Sequence, residues 1–219
     1  MAMTAATTRR RGRPALADQP PAADEALLDR ALEAFAERGF EGASLREIAR
    51  EAGVSHGLLN ARFGSKLALW TAAVDQGMER LHAAMTRHQS GLPAGTAIEE
   101  RMRAACIDFL HTLARQPAIV QLMNVEGARR GERLDYIVST FFRGRPWPFT
   151  ELLAQGQAAG VFRQMHVSVP FTMLAHGAGA LVALRPLVEA VDRRLRTEPE
   201  ALSGTIASAA DLIVRGLRA

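Results

Sequence analysis

The chain has 219 residues, with 48% hydrophobic and 23% charged content and a formal charge of +4 from 27 basic and 23 acidic residues. That is a globular balance, neither disordered nor fibrous, in a chain long enough to build a core without covalent staples. A single cysteine, Cys106, excludes an intramolecular disulfide framework and a four-cysteine metal site within one chain, and 5% aromatic content beside abundant Ala, Leu and Arg makes helix the default.

Residues 1–22 lack periodicity and read as a flexible basic arm. Its Arg9, Arg10, Arg11 and Arg13 precede the first acid, Asp18, and leave the rest of the chain formally neutral. No apolar segment follows these arginines, so a secretory signal is not expected. The apolar stretch from Phe171 to Leu184 is too short for a membrane span and is interrupted by His176 and glycines. The expected setting is cytoplasmic and nucleoid-associated, without membrane contact.

From Asp24, a predicted cap, Leu28, Ala31, Leu32 and Phe35 form a helical stripe that Gly39 ends, turning Phe40 back onto it. Ser44 and Glu47 have capping-box spacing for a short helix that buries Leu45, Ile48 and Ala49. Gly53 permits a tight turn. Ser55 caps a second short helix with Leu58, Leu59 and Phe63 inward, and Ser65 caps a longer one from Lys66 to about His88. The body reads as helices near 97–114, 117–128, 132–155, 168–184 and 201–217, with Pro186 stopping or kinking the fourth. Thr197 and Glu200 have capping-box spacing before the last. The expected fold is all-α: a three-helix helix-turn-helix domain at 23–70, then a larger helical effector-binding and dimerisation domain at 71–219.

Two short helices joined by a glycine-centred turn and packed on a third have helix-turn-helix spacing. Ser55, His56, Asn60 and Arg62 on the second are then free for the major groove. Asn60 suits adenine, Arg62 suits guanine or phosphate, and Ser44 and Lys66 stand at helix starts that favour phosphate. The arm's Arg11-Gly12-Arg13-Pro14 fits a narrow A·T-rich minor groove.

The stretch LLDRALEAFAERGFEGASLREIAREAGVSHGLLNARFGSKLALW, residues 27–70, resembles the DNA-binding domain of the TetR family of bacterial transcriptional regulators. The resemblance implies a homodimer on a palindromic double-stranded DNA operator, a small-molecule effector of unknown identity, and repression. An activating or architectural DNA binder is the alternative. It carries the family's contact positions onto Ser44, Arg46, Ser55, His56, Gly57, Asn60, Arg62, Phe63 and Lys66. Asn60 stands where Tyr is common and His56 where Lys or Arg is frequent, so no relative's operator transfers to this chain.

Twofold reading needs two heads about one helical turn, roughly 34 Å, apart. Leu174, Ala178, Leu181 and Leu184 of one body helix and Ile206, Ala209, Ile213 and Leu217 of the last are the candidate dimer contacts. Phe109, Leu113, Met123, Tyr136, Phe141, Phe142, Trp147 and Phe149 are candidates for an apolar effector pocket, and Arg129, Arg130 and Arg133 for attracting an anionic ligand. An enzyme is not expected. Cys106 and His111 lie about 140° apart around a helix, a poor geometry for a thiol–imidazole pair, and no metal or cofactor pattern appears. With 26 Arg and one Lys, DNA binding should respond mainly to salt, His56 adding a minor pH dependence.

Overall fold

Helix α1, Pro21–Gly42, begins on a proline, which suits a first turn whose N–H has no helical partner. Asp24 therefore sits inside the first turn and is not the cap. The computed structural model describes residues 21–198 and 200–219, so the arm arginines Arg9, Arg10, Arg11 and Arg13 lie outside the described residues. Leu27, Ala31, Leu32 and Phe35 bury one face of α1. Gly39, at φ 70° and ψ 168°, bends the helix, and Phe40 returns onto Phe35 with ring centroids 5.9 Å apart.

Helix α2, Leu45–Glu51, follows Ser44, whose side chain makes no capping bond. Glu47 does not close the expected box and faces Arg38 at 3.5 Å, while Arg38 also grips Glu51 through two bonds of 2.9 and 2.7 Å. That fork pins α2 across α1 and pulls the Glu51 carboxyl below its usual range, chiefly through the hydrogen bond. Gly53, at φ 69°, makes the turn. In α3, His56–Phe63, the Ser55 hydroxyl accepts from the Leu58 N–H at 3.1 Å, and fully buried Leu59 is the anchor. Ser65 caps α4, Lys66–Gly91, in the same way through Ala68. Helix α1 packs on α4, and Trp70 at the junction is wholly buried.

The body continues with α5 (Ile98–Arg115), α6 (Pro117–Gly127) and α7 (Glu132–Ile137), which runs into a π-helical turn at Val138–Phe142. Then come α8 (Pro148–Ala158), α9 (Ser168–Thr172), a second π-turn at Met173–Ala178, and α10 (Ala180–Ala183). Helices α11 (Arg185–Val191), α12 (Arg194–Thr197) and α13 (Ala201–Leu217) complete the chain. Helix α5 is the central pillar, touching α4, α6, α8, α10 and α13, while α6 also packs on α1.

Two expected helices are therefore broken. The run at 132–155 stops at Arg143, where Gly144 adopts φ 76° and Pro146 and Pro148 follow. The run at 168–184 carries a bulge at Gly179, whose N–H reaches back five residues to Leu174 at 3.0 Å, and it ends at Leu184 before Pro186. Thr197 does not cap α13; it closes α12, its hydroxyl donating to Arg193 O at 3.3 Å. The C-terminus is tied down by Ala219 N–H to Val161 O at 3.1 Å and Arg163 N–H to Leu217 O at 2.8 Å, beside an isolated bridge between Phe162 and Arg218. Phe162 lies so close over Gly156 that a Cβ there would meet its ring at 2.0 Å. Among the described residues no single helix is long and apolar enough to cross a membrane; Ser168–Ala183 and Arg185–Val191 pass such a test only as a pair bent by 73°.

Candidate nucleic-acid interface and effector cavity

Because Leu59 points inward, α3 turns His56, Gly57 and Asn60 to the surface, beside exposed Ser55 and, on α2, Arg46. Ser44 is half-buried at the α2 start, and Phe63 is half-buried at the α3 end. A Cβ on Gly57 would meet nothing within 4 Å, so the fold itself does not ask for glycine there.

Two cations from the sequence candidates are held within the chain. Arg62 forms an ion pair with Asp24 of α1, and its guanidinium lies 6.0 Å from the Phe63 ring. Lys66 donates to the backbone carbonyls of Glu41 at 3.2 Å and Ala43 at 3.1 Å, with its ammonium 4.7 Å from the centre of the Phe40 ring. Its charge thus secures the carboxyl end of α1. Neither tie was visible in the sequence, because both partners come from a different helix or turn.

Below the head is an apolar cavity walled by Met78 and Leu81 of α4, Phe109 and Leu113 of α5, and Ile119, Val120 and Met123 of α6. Phe142, Trp147, Phe171, Ala175 and His176 close it. Space for the centre of a water molecule amounts to ≈ 50 Å³, room for a few waters and less than a drug-sized ligand requires. Of the sequence candidates, Phe109, Leu113, Met123, Phe142 and Trp147 line it. Tyr136, Phe141 and Phe149 do not. Phe141 and Phe149 are buried in the core. The Tyr136 hydroxyl donates to Asp75 at 2.6 Å, and its pKa is pushed up to about 12 by burial and then by that bond.

Two of the polar groups near the wall are already engaged. The Trp147 indole N–H donates to Phe141 O at 2.7 Å, and His176 Nδ1 lies 2.5 Å from Asn124 Oδ1. The wall residues missed in the sequence, such as Met78, Leu81 and Ile119, belong to ordinary buried stripes; nothing in their spacing separates cavity from core. Arg133 does not await an anion either. It bonds to buried Glu126 at 2.8 Å and lies 4.4 Å from the centre of the Phe40 ring. Arg129 and Arg130 are exposed.

A second apolar hollow, of ≈ 660 Å³, lies open between the second π-turn and α13. Ala178, Leu181, Ala209 and Ile213 line it together with Val169, Met173 and Leu212, which are 53%, 62% and 75% exposed. Three of the expected dimer contacts are already covered within this chain. Leu174 and Ile206 are fully buried within this chain, and Leu217, though at the edge of the hollow, is 2% exposed. Leu184 is exposed outside the hollow, with Leu187 and Val191 following it on α11.

Cys106 is buried, and burial alone pushes its thiol up to about 12, which leaves almost no thiolate at neutral pH. Among the described residues no group of three or more His, Cys, Asp or Glu is placed to hold a metal ion.

Residues 27–73 match the family profile described as bacterial regulatory proteins, tetR family. Over 150 residues the chain is 30% identical to the HTH-type transcriptional regulator BetI of Escherichia coli, an alignment spanning 61% of this chain and 75% of that protein. A tetR-family regulatory protein from Rhodococcus RHA1 superposes with a TM-score of 0.61 at 19% identity, over 91% of this chain and 98% of that one. The fatty acid degradation regulator FadR from Bacillus halodurans gives 0.58 at 18%, over 89% and 100%. These two structures bear on the fold alone.

Proposed function

The chain belongs to the TetR family of bacterial regulatory proteins, which are DNA-binding regulators and not enzymes, and from that premise we propose that it is a ligand-responsive repressor acting as a homodimer on a palindromic operator. Ser55, His56, Gly57 and Asn60 meet the major groove, Ser44 and Arg46 flank them, and Arg62 joins once released from Asp24. The open hollow along α13 is the surface that a second copy covers.

One observation carries the sensory half of this reading. The two helices that hold α1 of the head, α4 and α6, are also two walls of the cavity. The three meet at Gly77, where a Cβ would stand 3.1 Å from both Leu32 of α1 and Ile119 of α6. Met78, the next residue, faces the cavity. A guest that spreads the cavity therefore acts on the seat of the head. Since the lining is apolar apart from Trp147 and His176, the guest that fits is apolar over most of its surface, because a polar group facing the rest of the wall would be buried without a partner.

The test is selection of genomic fragments by the purified chain, footprinting of the best one, and a reporter on the neighbouring promoter. A protected palindrome and higher promoter output after deletion of the gene are expected. Lower output on deletion would sink repression in favour of activation, and salt-sensitive binding without a footprint would leave an architectural role.

A further inference from the structure

Residues 132–142 form one helical run whose ends do different work. At its start Arg133 clamps the head: its Nε bonds to Glu126 of α6 at 2.8 Å, and its guanidinium covers Phe40 at 4.4 Å and approaches Glu41 at 3.8 Å. One turn later Tyr136 bonds Asp75 of α4, and its ring meets Trp70 at 6.1 Å. At the far end Phe142 walls the cavity, stacked on Trp147 at 5.8 Å. Between them the backbone is π-helical, and the Arg143 N–H reaches back five residues to Val138 O at 2.9 Å.

A π-turn holds one residue more than an α-turn, so its loss rotates whatever follows by about 100° relative to whatever precedes it. A one-residue shift within this turn would therefore reorient Phe142 relative to Arg133. The cavity's ≈ 50 Å³ obliges a larger guest to displace a wall residue, and Phe142 is carried by this segment. The geometry points to a relay in which the π-turn at 138–142 is the switch and Arg133 is the clamp that passes its state to Phe40 and the DNA-binding head. The relay rests on the ligand-responsive reading above and adds the route of its regulation. Arg133 is a positioning residue: it touches neither the cavity nor the face of α3.

Coupling between two sites must be reciprocal. The relay therefore predicts that DNA alters the π-turn without any effector. Amide exchange is measured by mass spectrometry on the full chain, free and saturated with the genomic fragment it selects. Exchange at 138–143 should change about fivefold or more on DNA binding. In Arg133→Met, which keeps an apolar stem over Phe40, that change should vanish while DNA is still bound. If Arg133→Met does not fold, Tyr136→Phe, lacking only the hydroxyl on Asp75, replaces it with the same expectation. An unchanged π-turn in the wild-type chain, or an equal change in wild type and variant, overturns the relay. Val120→Phe, which fills the cavity from α6, separates the two ideas. Unchanged DNA affinity in folded Val120→Phe, with the exchange pattern as expected, sinks the ligand response and leaves the relay standing.

Discussion

The Arg62–Asp24 pair makes a prediction about DNA affinity that runs against the usual effect of removing an ion pair. The two side chains are 30% and 27% exposed, so the pair contributes about 1 kcal/mol or less to stability. Asp24→Asn keeps the shape, removes a carboxylate next to α3 and frees the Arg62 guanidinium. If Arg62 then neutralises one further phosphate, the slope of log affinity against log salt steepens by about 0.9. Across a fourfold rise in salt that is an extra loss of roughly 3.5-fold, set against tighter binding at the low-salt end. Fluorescence anisotropy on the selected fragment at several salt concentrations reads both quantities, with a thermal melt to show that the head remains folded. Arg62→Ala in the Asp24→Asn background should cancel the gain. A slope identical to wild type would refute Arg62 as a latent phosphate contact. Weaker binding with an intact melt would mean that the pair orients α3 and does not restrain Arg62.

Gly57→Ala should leave stability unchanged or raise it by up to about 1 kcal/mol, since a Cβ meets open space and alanine favours helix; affinity for the selected fragment should fall about tenfold, and a retained affinity would show that DNA does not approach this backbone. Leu212→Asp, at a site 75% exposed, should change the melt of the single chain by at most about 0.5 kcal/mol yet weaken the dimer about 100-fold by sedimentation, whereas Leu174→Ala should cost about 2–5 kcal/mol of folding stability. Cys106 should resist a thiol reagent at pH 8 in the folded chain and react fully in denaturant; rapid labelling of the native protein would contradict its burial. Because its folded pKa, about 12, lies above the unfolded value, its contribution to stability is complete below about pH 8.5 and is lost as pH rises towards 12, by at most about 1.4 kcal/mol per unit.

The head was legible in the sequence because its signals are short-range. The bend at Gly39, the turn at Gly53 and the caps at Ser55 and Ser65 each depend on residues within a turn of one another. What escaped is long-range. Arg62 finds its carboxylate on α1, and Lys66 reaches carbonyls 25 and 23 residues back, so two cations that read as DNA contacts are tied inside the free chain. Capping-box spacing failed at Ser44 for a similar reason: Arg38 on the neighbouring helix competes for Glu47, and no local pattern records that. The two π-turns were equally hidden. A helix gains an extra residue per turn only when tertiary packing favours it, and the sequence around each reads as an unbroken helix until Gly144 or Leu184.

The proposed dimer face shows where helical periodicity stops being informative. Helix α13 is apolar on two sides: Ile206, Ala210, Val214 and Leu217 face inward, while Ala209, Leu212 and Ile213 face the open hollow. A stripe through Ile206, Ala209, Ile213 and Leu217 obeys the 3.6-residue period, yet it runs along the boundary and takes members from both sides. Two apolar faces imply two partners, one of which is the chain's own α5. Only the fold assigns the faces. Once α5 has taken the first, Leu212 is left with Met173 and Val169 on an exposed apolar surface, the one proposed above to be covered by a second copy.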